Sequence, residues 1–217
     1  MEVLDQDKRQ LRFLIMDNTP LTLLAMIEAL DWLFVPGCEV IMTDMVLEEA
    51  TRDPGPGRDQ RKATRTYIAN WFSTNRSQVS LLRTSVWTQY EREMELWRKA
   101  GMPEDLKPDW HDRGERSLLA AVKVLKAAIS TGEEIIVIAD DRDARDAVRA
   151  VRADIMLIGT RTFIRWLAED FQMSDAETAW TAILLATNGK ADPGDDIDNR
   201  IADGKHVKFR HCQAFRA

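Results

Sequence analysis

Apolar residues in this chain gather in short unbroken runs separated by amphipathic stretches, a pattern that predicts strands alternating with helices. The first run, 11–16 (LRFLIM), stops at Asp17. Thr19 followed by Pro20 then offers an N-cap and a proline at the first helical position, so a helix is predicted to begin near Pro20. Its sequence, PLTLLAMIEALDWL, is apolar nearly all round and reads as deeply packed up to a turn at Pro36 and Gly37. A second strand is expected at 39–42 (EVIM), with Thr43 or Asp44 capping a helix that carries Met45 to Glu49 and ends at the DPGPG of 53–57.

From 58 to 110 the pattern is mostly helical: a helix over 60–73, a possible strand at 79–84 (VSLLRT), and a helix over 86–100. The stretch 101–111 (GMPEDLKPDWH) holds three helix-breaking residues and reads as a loop. A long helix follows over 112–129. The run 134–139 (EIIVIA) is the clearest fully buried strand and leads through Asp140 and Asp141 into another helix. A shorter strand, 154–158 (DIMLI), precedes Gly159-Thr160 and a helix to about Phe171. Ser174 and Glu177 have capping-box spacing ahead of an apolar helix over 179–186. After Asn188 the tail is rich in Asp and Gly and reads as loosely ordered, with a possible edge strand at 206–210.

Strands separated by helices predict an α/β fold, a three-layer α/β/α sandwich around a mostly parallel sheet. With 217 residues, 45% of them hydrophobic, the chain has enough material for a full core. The expected organisation is one domain over 1–170, with a helical elaboration at about 52–110, followed by a C-terminal helix and tail over 171–217.

Composition narrows the picture further. The charged N-terminus and the brevity of the first apolar run predict neither a signal peptide nor a membrane span, which points to the cytoplasm. Cys38 and Cys212 have neither metal-site spacing nor the look of a disulfide framework. A net charge of −6 argues against nucleic-acid binding through a general basic surface, but leaves room for an enzyme that holds phosphate through bound metal. Basic residues cluster twice, at Arg58, Arg61, Lys62 and Arg65, and at Arg142, Arg145, Arg149 and Arg152. Helical spacing puts the second group on one face, either as an ordinary solvated row or as a guide for substrate phosphate.

Candidate chemistry lies in acids placed where strands end or helices begin: Asp17, Glu49, Glu115 and the pair Asp140-Asp141. In an open parallel sheet such points converge on one edge, where carboxylates suit Mg²⁺ or Mn²⁺. Each also has a structural alternative. Asp17 has the weakest, since Thr19 already serves as a cap. Glu49 and Glu48 form an acidic pair of the kind ordinarily solvated, although one of them should face inward. Glu115 stands three residues after Asp112, as a capping partner does. One of Asp140 and Asp141 could cap the helix that follows, but two adjacent carboxylates exceed what a cap requires, and a cation would relieve their repulsion.

The segments around these acids resemble the PIN-domain family. They are FLIMDNTPLTLLA (13–25), VLEEA (46–50), RGERSLLAA (113–121) and IVIADDRDARDAV (136–148), with the IGT of 158–160. The last two look most like the branch whose motif reads DDRxxR before a late glycine-threonine turn, and the likeness spans roughly 11–167. It implies a metal-dependent endoribonuclease with catalytic and metal-binding acids at Asp17, Glu49, Glu115 and Asp141, with Asp140 beside the last. It also implies Mg²⁺ or Mn²⁺ as cofactor and single-stranded or structured RNA as substrate. Asn18 and Thr19 fill the small polar positions after the first acid; Arg142, Arg145 and Thr160 complete the expected substrate contacts. An antitoxin partner and a homodimer belong to the same expectation. The chain departs from compact toxins in the longer stretch between Glu49 and Glu115 and in its extension past Leu167. Trp71, Trp87 and Trp97, in the longer stretch, are expected to be core residues.

Three alternatives compete. A phosphotransfer site with Asp17 as nucleophile would want an acid where Thr19 stands, and a receiver domain would want its paired acids near the first strand. A non-catalytic PIN-like scaffold that binds RNA or a protein would tolerate the loss of a carboxylate.

Overall fold

The computed structural model describes residues 10–52, 61–109, 112–151 and 155–191, together with the backbone of 201–202 and 205–206. Five strands form one sheet. β1 (Gln10–Met16) leads into α1 (Asn18–Met26), a 3-10 turn (Leu30–Phe34), β2 (Glu39–Thr43) and α2 (Asp44–Thr51). Next come α3 (Lys62–Thr74), β3 (Val79–Leu82), α4 (Ser85–Lys99) and, after a short 3-10 turn at Glu104–Leu106, α5 (Arg113–Ala128). The remaining elements are β4 (Glu133–Ile138), α6 (Arg142–Val151), β5 (Met156–Ile158), α7 (Thr160–Phe171) and α8 (Ser174–Ala186). A two-stranded antiparallel ribbon, β6 (Ile201–Ala202) with β7 (Lys205–His206), lies at the site of the expected edge strand, whose continuation falls outside the described residues.

All pairings in the main sheet are parallel, in the order β3-β2-β1-β4-β5. The expected α/β/α sandwich is therefore present, with an all-parallel sheet. Leu14, Met16, Val40, Met42, Ile136, Ile138, Met156 and Ile158 face one core, shared with α1, α3, α7 and α8. Phe13, Ile15, Ile41, Ile135, Val137 and Leu157 face the other, under α5 and α6. Burial on both faces explains why these strands read as unbroken apolar runs rather than alternating ones. A register shift between Leu11 and Phe13 puts Leu11 on the same face as Leu14.

The elaboration is built into this frame. Ile68, Trp71 and Phe72 of α3 join the first core; Trp71 stacks on Phe34 with ring centroids 5.5 Å apart and donates to Asp31 at 2.7 Å. Trp87 and Trp97 are half-buried, and the Trp97 indole N–H donates to the Pro103 carbonyl at 2.8 Å, folding the following loop back on α4. Asp44, at the start of α2, accepts from the Thr84 backbone N–H at 2.6 Å and the Thr84 hydroxyl at 2.9 Å, tying the end of β3 to the end of β2. Helix α8 lies in the main core through Ala176, Ala179 and Ile183.

Local details correct several expectations. Helix α1 starts at Asn18 with Asp17 in the N-cap position, so Pro20 is its third residue. Proline is accommodated there because none of the first-turn N–H groups has a partner within the helix. The apolar stretch after Met26 turns through Glu28 at φ 56° instead of continuing. Met173, not Ser174, holds the N-cap position of α8, and Ser174 is already helical.

Candidate active site at the strand switch point

Strand β1 passes to its neighbour β2, whereas β4 passes to β5 on the other side. The crevice between β1 and β4 is thus the point where the winding reverses, the usual place for a ligand in an open parallel sheet. Met16 pairs with Ile138, and the Asp17 N–H donates to the Ile138 carbonyl at 2.9 Å. The ends of both strands therefore stand side by side at the mouth of the crevice.

A cleft of about 380 Å³ opens there, lined by Asp17, Glu49, Glu115 and Asp141, with Asn18 and Thr19 beside them. Asp109, Asp112, Gly114 and Arg52 also line it, so among the described residues six carboxylates face one guanidinium. Asp17 is 7% exposed and makes no side-chain cap bond. Burial pushes its carboxyl from the ordinary 3.8 up to about 7; the Asn18 backbone N–H opposes this, while the charges of Glu49, Glu115 and Asp141 add to it.

Each remaining acid has its own support. Glu49 is the inward member of its pair, and its Oε1 accepts from the Asn18 side-chain amide at 3.0 Å. Asn18 in turn accepts from the Thr22 hydroxyl at 3.3 Å, while the Glu49 carboxylate, an acceptor only, sets which end of the amide is the donor. Glu115 faces Asp141 rather than serving as half of a capping box: Asp112 in the N-cap position has φ 57° and makes no side-chain cap bond. The Glu115 carboxyl is raised above its ordinary value, chiefly by burial, then by the charges of Asp141, Asp112 and Asp143 and by hydrogen bonding with Asp141.

Asp140 and Asp141 part company. Asp141 caps α6, its Oδ1 accepting from the backbone N–H groups of Asp143 at 2.8 Å and Ala144 at 3.2 Å, and it still lines the cleft. Asp140 turns to β5 and accepts from both the backbone N–H and the hydroxyl of Thr160, the former at 2.7 Å. Neither Asp140 nor Thr160 lines the cleft. The arginines of α6 are not gathered there either. Arg142 is 78% exposed and lies 3.8 Å from Asp146, which also pairs with Arg149 at 3.2 Å, while Arg145 is buried and Arg152 lies outside the described residues.

Two cleft residues carry signals that composition alone hides. Gly114 occupies the second position of α5, where glycine costs about 1 kcal/mol relative to alanine and so calls for a local reason. The reason is space: a Cβ there would meet Glu49 Oε2 at 2.7 Å and Asp17 Oδ1 at 4.0 Å. Arg52 closes the other side of the cleft just before the DPGPG segment, which lies outside the described residues.

The donor set suits a hard divalent cation: carboxylate oxygens only, an electrostatic excess of acid, and a glycine that leaves room for them. Among the described residues no three or more His, Cys, Asp or Glu side chains stand at the spacing that holds a metal ion. His111 and His211 lie outside the described residues, as does the side chain of His206. No helix among the described residues is long and apolar enough to cross a membrane. Comparison with family models and with curated proteins finds no match to this chain.

Proposed function

We propose that the chain is a metal-dependent endoribonuclease of the PIN-domain type, hydrolysing RNA phosphodiesters in the crevice between β1 and β4. The observation that carries this reading is the buried Asp17 carboxylate at the strand switch point, with Glu49, Glu115 and Asp141 facing it. Carboxylates held this way repel one another and lose hydration, a cost that a bound cation offsets. The order of the acidic motifs and the α/β/α architecture support the PIN assignment; the toxin role rests on the resemblance alone.

Asp17, Glu115 and Asp141 are the residues that would hold Mg²⁺ or Mn²⁺, with Glu49 direct or through water. The chemistry supplied there when bound is polarisation of a phosphoryl oxygen and a water of lowered pKa. The protein's own contribution is positioning. Asn18 orients Glu49, the cap of α6 orients Asp141, and Gly114 lets the backbone of α5 approach both Glu49 and Asp17. Without a cation, burial holds the Asp17 carboxyl up at about 7, and a bound cation would favour its ionised form.

A second reading, a PIN-like scaffold that binds RNA or a protein without cutting, is favoured by the lack of a ready-made ligand group among the described residues. Cleavage of a labelled single-stranded RNA with Mg²⁺, Mn²⁺ or chelator separates the two. The nuclease reading expects metal-dependent cleavage that disappears in Asp17→Asn and Asp141→Asn; equal cleavage by all three proteins exposes contamination and sinks it. Absence of both metal binding and cleavage in the wild type favours the scaffold.

A further inference from the structure

A second cleft, of about 580 Å³, adjoins the acidic one and has the opposite character. Among the described residues, Arg52, Arg61, Arg65 and Lys107 line it, against a single carboxylate, Glu49, at the boundary. Asn18, Glu49 and Arg52 line both clefts, so the two share a wall. In a chain of net charge −6, four cations gathered in one groove beside an acidic centre form a local exception, not an extension of a basic surface.

The groove is built, not incidental. The Arg65 guanidinium donates to the Arg52 carbonyl at 2.8 Å, joining the start of α3 to the chain just past α2. Arg61 stands in the N-cap position of α3 and makes no side-chain cap bond, so its charge adds to the positive end of a helix of 13 residues. Lys107 pairs with Glu104 at 3.5 Å, an exposed contact of the kind that exchanges readily for a phosphate. A third cleft, carrying half-buried Trp87, shares Arg52 and Lys107 with this groove. Cations that track a backbone beside an aromatic face are the combination that holds unstacked single strands.

We infer that this groove takes the backbone phosphates of a single-stranded nucleic acid running out of the acidic cleft, with Arg61 and Lys107 as the exposed phosphate contacts. The direction of the strand rests on the nuclease reading; the presence of a polyanion track does not. The groove takes over the role that helical spacing suggested for Arg142 and Arg145.

The test is fluorescence anisotropy of a labelled mixed-sequence single-stranded RNA in chelator, so that cleavage is silent, titrated with wild type, Arg61→Ala/Lys107→Ala and the single-charge control Arg142→Ala, outside the groove. Both groove positions are exposed, and a circular dichroism melt verifies that the variants fold. The double variant is expected to bind about tenfold more weakly, its log–log salt slope shallower by about 0.7 for each contact removed, while Arg142→Ala follows wild type. Equal affinity and slope in all three proteins, or no binding by the wild type, overturns the inference. So does a polyglutamate peptide of equal charge that binds as tightly as RNA and loses affinity in the same variant, since the groove would then receive an acidic protein segment. Metal-dependent cleavage is measured separately on the same proteins. Its absence with binding intact removes the nuclease reading and leaves the groove; its presence with binding unaltered by the double variant does the reverse.

Discussion

Gly114 and Glu49 are set so close that any side chain at position 114 would occupy the place of a Glu49 carboxylate oxygen, at 2.7 Å from a Cβ. The contact partner is the far end of a flexible side chain, so substitution moves the carboxylate rather than the fold. Gly114→Ala is therefore expected to leave stability unchanged within about 1 kcal/mol, because helix propensity favours alanine by a similar amount. Cleavage should fall at least roughly tenfold, equivalent to about 1.4 kcal/mol in the transition state. Thermal melts and cleavage rates on one preparation check this; full activity in the alanine variant would show that the position of Glu49 does not matter.

Asp17 links the site to pH. Its folded pKa, about 7, lies above the ordinary 3.8, so the folded state keeps a proton that the unfolded chain releases. Its contribution to stability is fully present below 3.8 and is lost as pH rises through about 7, an effect on the order of a few kcal/mol. In chelator, Asp17→Asn should remove this part of the decline and melt above wild type at pH 8. Parallel melting-temperature profiles for the two proteins from pH 4 to 8 would count against the burial of this carboxylate.

Mn²⁺ acts on the same balance. On the proposed metal-dependent function, at pH 8 it should raise the melting temperature of the wild type in proportion to the logarithm of its concentration above the Kd, as a ligand of the folded cleft and not of the unfolded chain does. Asp17→Asn and Asp141→Asn should lose most of that increase. An equal rise in all three proteins would mean that the ion binds elsewhere.

Asn18→Ala removes the amide that holds Glu49 at 3.0 Å. Partners that orient a ligand typically change metal affinity by about 10- to 100-fold, so Mn²⁺ affinity should weaken on that scale while the melting temperature in chelator hardly moves. Isothermal titration measures the first quantity, and unchanged affinity contradicts the positioning role.

Asp140 and Asp141 should separate cleanly on mutation. Asp140→Ala breaks the clasp to Thr160 and is expected to cost about 1–3 kcal/mol, as leaving the donors of the buried Thr160 without their charged partner does, without removing a residue that lines the cleft. Urea denaturation together with metal titration distinguishes it from Asp141→Asn; loss of metal binding in Asp140→Ala with stability intact would reverse the two roles.

What the sequence made legible follows from what each residue has to satisfy. The strands were readable because Leu14, Ile15, Val137 and their neighbours are buried on both faces, leaving no polar alternation to confuse them. Asp17, Glu49, Glu115 and Asp141 were readable as edge acids because strand ends are punctuated by caps and helix starts. The pair at 140–141 was not separable, since which carboxylate turns toward Thr160 depends on where β5 docks. Helical spacing likewise could not say that Arg145 would be buried while Arg142 faces solvent. The basic groove was legible only in part: Arg61 and Arg65 belong to the first basic cluster of the sequence, but Arg52 and Lys107 join them only once α3 and the loop after α4 settle around α2.

The strand order has a kinetic consequence. With β1 central and β4 its late partner, the cleft is assembled from positions 17, 49, 115 and 141, so no local hairpin or helix pair carries any working part of it. Loop-closure entropy must be met before these contacts form, which places the site late and makes its completion cooperative. A chain emerging from synthesis has no complete cleft until β4 has inserted beside β1. Whatever chemistry the cleft performs is thereby withheld from any form in which β1 and β4 are still apart, and cleft activity becomes a report that these two strands have paired.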